Sequence, residues 1–128
     1  MNKKKRPIIK DLVKKHTTEI ESFQNTIVRP IIKMQHPLLV ASFKNYLEKR
    51  KVDLQSCSDL EINNKIKLIY NNDISYRNIS LGLIIGHFST SEFSYYINYS
   101  SEINKRIIKI IHQRVHNSLS EIFGLESL

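Results

Sequence analysis

Apolar side chains recur every three or four positions along most of the chain, the period of a helix buried on one face. Thr18-Glu19-Ile20-Glu21 has the form of a capping box, in which the threonine oxygen takes a free amide and the glutamate reaches back. Ile20, Phe23 and Ile27 follow at helical spacing. From Pro30 to about Arg50 one phase holds, with Ile32, Leu39, Phe43, Tyr46 and Leu47 on one side. It persists through Pro37, so one kinked helix is expected. Residues 51–57 read as a loop. Ser58-Asp59-Leu60-Glu61 is a second capping box, ahead of the stripe Ile62, Ile66, Ile69 and Tyr70. Asp73 is placed to cap the element after that.

The run from Ile79 to Phe88 is apolar nearly all round, which predicts a buried helix. A buried strand is the rival reading, but the run is long for a strand. Gly82 and Gly86 also fall four apart, on one helical face where a neighbour would approach closely. Ser89-Thr90-Ser91-Glu92 is a third capping box and opens a short helix with Phe93, Tyr96 and Ile97. Ser100 or Ser101 should cap the last and longest helix. Its apolar face is Ile103, Ile107, Ile110, Ile111, Val115 and Ile122, and Gly124 is its expected stop. The expected fold is all-α, a bundle of five or six helices around a central buried helix at about 73–88. Residues 18–128 form one helical domain. Residues 1–17 form a basic N-terminal arm, either a docking helix or a disordered start.

Composition supports helices. Three glycines and three prolines are too few for the many tight turns of an all-β fold. A chain of 128 residues suits one domain. Cys57 is the only cysteine, which excludes an internal disulfide and a cysteine-based zinc site and fits a reducing cytoplasm. No apolar signal core follows the basic start. The longest apolar run is about half of the roughly 20 residues that a membrane span needs. The formal net charge is +8. Residues 1–17 hold seven basic side chains against Asp11, so most of the excess belongs to the arm.

Several local motifs run together from Phe23 to Leu119: Phe23-Gln24-Asn25, Arg29-Pro30-Ile31-Ile32-Lys33, Phe43-Lys44-Asn45-Tyr46 and Tyr76-Arg77-Asn78. Gly82-Leu83-Ile84-Ile85-Gly86-His87-Phe88 and Asn104-Lys105-Arg106 continue the series. In these motifs the chain resembles a group of small helical bacterial proteins of unknown function. Some of that group carry a glyoxalase description. Glyoxalases of the usual kind place histidine and glutamate ligands on paired β-rich modules. The helical period here argues against such modules. The resemblance brings no site residues with it.

The candidate chemistry is sparse. His87 follows the apolar run, and Tyr95, Tyr96 and Glu102 lie near enough in sequence to turn toward it. A histidine beside a carboxylate in a cleft can do acid–base work, and Arg77 could pair with Glu102 or bind an anionic ligand. A histidine that satisfies carbonyls at a helix end is the structural alternative. Asp73 and Arg77, four apart, suit an ion contact within one helix. His112 and His116 share a helix face at a spacing that zinc sites use. Gln113 stands where a metalloprotease glutamate would be, and two solvated histidines are the alternative. Lys3, Lys4, Lys5 and Arg6 in the arm, with Arg106, Lys109 and Arg114 on the last helix, form a candidate nucleic-acid surface. No cofactor is implied.

Three classes of function remain. The sequence favours a non-catalytic interaction or regulatory module, with an unknown protein partner or self-association as a homodimer. A nucleic-acid binder and a small enzyme centred on His87 are the alternatives. The first predicts an exposed apolar patch. The second predicts a continuous positive face. The third predicts a cleft in which His87 meets Glu102, a tyrosine or Arg77.

Overall fold

Two capping boxes form as their residue types require. Ser58 Oγ accepts from the amide of Glu61 while the Glu61 carboxylate accepts from the amide of Ser58. Ser89 and Glu92 repeat the arrangement. Asp73 caps as expected, its Oδ1 taking the amide of Tyr76 at 3.1 Å. Each cap satisfies amides that the first helical turn leaves free. The third box, Thr18 to Glu21, lies at the edge of the region, where residue 18 is already helical.

The computed structural model describes residues 18–124, whose regular elements are all helices, with a loop at 51–58; the arm at 1–17 lies outside the described residues. Residues 18–23 lead through a π-helical turn, Gln24–Val28, into α1, Arg29–Met34. Then come α2 (His36–Arg50), α3 (Asp59–Asn72), α4 (Ile74–Ile85), α5 (Thr90–Asn98), α6 (Ser100–His116) and α7 (Leu119–Ile122). In the π turn the Arg29 amide donates to the Gln24 carbonyl, five residues back. Pro30, next in line, has no amide for the Thr26 carbonyl and its ring crowds that oxygen. The wider turn relieves both problems.

The single kinked helix expected across Pro37 is divided at Gln35, which leaves helical geometry at ψ 6°. Gln35 spends its side chain on a tertiary tie, its Nε2 donating to the Leu83 carbonyl at 3.0 Å. Ser42 to Tyr76 and Tyr46 to Asp73 continue the seam, so α2 and α4 run antiparallel. The last helix also ends sooner than expected. It stops at His116, and α7 follows after a turn at Asn117 and Ser118. Gly124 lies beyond α7 at φ +73°, the left-handed conformation expected of a stop. Neither Ser100 nor Ser101 caps α6: Tyr99 holds the cap position and gives no side-chain bond.

The all-α bundle is as the sequence predicts, but its interior is shared differently. α6 packs against the π turn and against α1, α2, α3, α4 and α5. It buries Ile103, Ile107, Ile108, Ile111 and Val115. α4 buries Tyr76, Ser80, Leu81 and Ile84, yet Ile74 and Ile79 are 61% and 57% exposed. The apolar excess of the run at 79–88 therefore lies partly at the rim of the fold. The close approach of a neighbour expected at the glycines is absent too: a Cβ at Gly82 would meet nothing within 4 Å, and one at Gly86 would meet only the Gly82 carbonyl of the preceding turn. Among the described residues no helix is long and apolar enough to cross a membrane.

Candidate anion-binding groove

α6 is amphipathic. Its isoleucines face the core, and the opposite side carries Lys105, Arg106, Lys109 and Arg114. Against that side pack the π turn and α1, which add Gln24 and Arg29. Between them runs a groove of about 790 Å³. Five cationic side chains line it (Arg29, Lys105, Arg106, Lys109 and Arg114), with Glu102 as the one acidic side chain of the lining. Gln113, Asn117 and Ser118 supply neutral polar groups, and no aromatic ring belongs to the wall.

The cations differ in what already holds them. Arg106 donates to Glu102 at 2.9 Å and to Gln24 Oε1 at 3.0 Å. Arg29 Nε donates to Asn25 Oδ1 at 3.2 Å, a neutral partner that leaves its charge uncompensated. Lys105 and Lys109 are exposed, four residues apart on one helix, and neither has an ion pair or hydrogen bond among the described residues. Like charges at that spacing repel. The groove therefore offers several donors and a net positive field to an anion.

At one end of the groove Arg114 is held by a histidine. Arg114 Nη1 lies 3.2 Å from His36 Nδ1, and His36 Nε2 lies 3.0 Å from both carboxylate oxygens of Glu121. These contacts link α6, the first residue of α2, and α7. A guanidinium nitrogen can only donate, so Nδ1 must be the acceptor and Nε2–H the donor to Glu121. This arrangement places the ring hydrogen on Nε2 and leaves Nδ1 as the acceptor.

The structure brings together Arg106, Lys109 and Arg114, the cations expected on the last helix, and adds Lys105, Arg29 and Gln24. Lys105 was accessible to reasoning, because it precedes Lys109 by one helical turn. Arg29 had no local signal, because only the packing of the π turn on α6 places it there. Lys3, Lys4, Lys5 and Arg6 lie outside the described residues.

The enzymatic cluster is not assembled among the described residues. His87 is exposed and has no side-chain hydrogen bond or ion pair. Glu102 pairs with Arg106, and Tyr96 donates to Asn104 Oδ1 at 2.7 Å. Arg77 does not pair with Asp73: it reaches the Tyr70 carbonyl at 3.4 Å. Asp73 takes Arg50 at 3.2 Å and the Tyr46 hydroxyl at 2.8 Å instead. The amide of Tyr76 and that hydroxyl hold the Asp73 carboxyl below the usual range. Tyr46 is correspondingly raised, by burial and then by Asp73. Nearby, burial pushes the Tyr70 phenol well up. Tyr70 and Ser80 turn their hydroxyls toward Tyr76 without reaching hydrogen-bond geometry.

His112 and His116 turn to separate partners on α3. His112 Nε2 lies 2.8 Å from Asn63 Oδ1, and His116 Nε2 lies 3.1 Å from Asp59 Oδ1. Partial burial lowers the His112 pKa, helped by His116 and Lys67. No group of three or more histidine, cysteine, aspartate or glutamate side chains among the described residues could hold a metal. No family model, curated protein or solved structure matches the chain.

Proposed function

We propose that the protein is a non-catalytic helical module that binds the phosphate backbone of nucleic acid in the groove beside α6. The observation that carries this reading is the five-to-one excess of cations over carboxylates lining one groove. Arginine and lysine are the side chains that phosphate recognition uses. The lining has no aromatic platform for bases, so the expected contacts are with the backbone and carry little sequence preference. Four more cations at positions 3–6 would add to the same attraction. Action in a reducing cytoplasm is consistent with the single cysteine.

The test is a binding titration of the full chain with duplex DNA and single-stranded RNA at low and moderate salt. Binding should weaken steeply with salt, as released counterions require. Reversing charge in Lys105→Glu/Lys109→Glu should weaken binding about tenfold or more at low salt. Both side chains are exposed, so the fold should tolerate the change. Undiminished binding by this variant would place the contact elsewhere.

A protein-interaction module is the second reading. Phe93 and Ile97 are exposed one turn apart on α5, as are Met34 and Leu38 around the start of α2. Self-association through either pair would appear as a concentration-dependent mass in sedimentation. A dimer that ignores nucleic acid would favour this reading over the groove.

A further inference from the structure

The contact between Arg114 and His36 has a consequence for the groove. While Arg114 donates to Nδ1, that nitrogen has no room for a proton of its own. Protonating His36 would set two cations and two donors against each other at 3.2 Å. Arg114 would have to leave. On the other side of the ring Glu121 favours the charged form, at 3.0 Å. The charged groups that meet the ring are thus Arg114 from α6 and Glu121 from α7. Lys33, from α1, makes no hydrogen bond or ion pair with it. His36 also begins α2, whose N-terminal dipole opposes a positive charge. Arg114 and the helix end oppose a positive charge on the ring, Glu121 favours one, and of the two charged neighbours only Arg114 lines the groove.

Resting on the groove reading, we propose that phosphate binding is coupled to proton uptake at His36 through Arg114. A phosphate group in the groove offers Arg114 a charged acceptor in place of a neutral ring nitrogen, and charge-assisted bonds are the stronger. Once Arg114 turns to the phosphate, Nδ1 is released and accepts a proton from solvent. The imidazolium then pairs with Glu121. The proton moves from water to Nδ1, and no covalent bond of the ligand changes. Linkage requires the converse: acid, by charging His36, frees Arg114 and tightens the groove on its ligand. Histidine is the side chain whose charge ordinarily changes near physiological pH, so that is the range over which the coupling is tested.

The experiment uses the full chain, a short fluorescent oligothymidylate as the probe, and constant ionic strength. Affinity should rise by about fivefold or more from pH about 8 to about 5.5, in excess of any rise shown by His36→Gln. That excess isolates His36 from the other histidines. Imidazole NMR of the wild-type chain supplies a readout that needs no variant. The His36 pKa should rise on saturation with the probe. In Arg114→Gln it should already be raised without the probe and move little when the probe is added.

A His36 pKa that rises equally in wild type and Arg114→Gln would reduce the effect to the general field of the ligand and overturn the coupling. So would a pH dependence that His36→Gln leaves intact. In either case the groove reading would stand. No binding of the probe at low salt would remove both.

Discussion

His112 shows how one side chain reports its surroundings. Its Nε2 meets Asn63 Oδ1, and burial against α3 disfavours the charged ring. The folded pKa is lowered, so the unfolded chain takes up the proton first. Its contribution to stability is complete above about pH 6.5 and is lost as the pH falls toward the folded value. Urea midpoints measured across this range should decline on the acid side, and His112→Gln, which keeps a donor for Asn63, should make that decline shallower. An unchanged decline would mean that the ring charges without cost. Much at this scale was legible in advance. The serines and glutamates of two capping boxes act within four residues, so sequence alone contains both partners. The partner of His112 comes from position 63, and that of Arg77 is a backbone carbonyl, neither of which side-chain spacing can identify.

At the scale of elements, α6 and α4 divide the interior unequally. Ile111 on α6 is fully buried, while Gly82 on α4 faces open space. Ile111→Ala should therefore cost about 2–5 kcal/mol through lost burial and the cavity left behind. Gly82→Ala should instead stabilise the protein by about 0.5–1 kcal/mol, because it removes backbone freedom from an exposed helix interior. Chemical denaturation of the two variants checks both signs, and a destabilised Gly82→Ala would restore the close helix contact that its spacing suggested. Helix existence was readable from period and caps, but centrality was not. An all-round apolar run means burial only if neighbours cover every side, and α4 lacks cover at Ile74 and Ile79. The division at Gln35 was hidden for a similar reason, since the tie that occupies Gln35 leads to Leu83, 48 residues away.

At the scale of the whole molecule, the excess positive charge has two locations. The arm holds most of it by count, and the groove gathers a local excess from a body that is otherwise close to neutral. Arg106, Lys109 and Arg114 were visible as one face of a helix. Their meeting with Arg29 depends on a π turn and on tertiary packing, which leave no mark in local periodicity. Backbone-amide NMR of the full chain during titration with a single-stranded oligonucleotide shows whether a polyanion binds in this groove. The largest shifts should fall on Arg29, Lys105, Lys109, Gln113 and Asn117, and salt should reverse them together. Shifts confined to α3 and α5, with those five amides unmoved while the oligonucleotide binds, would contradict binding in the groove.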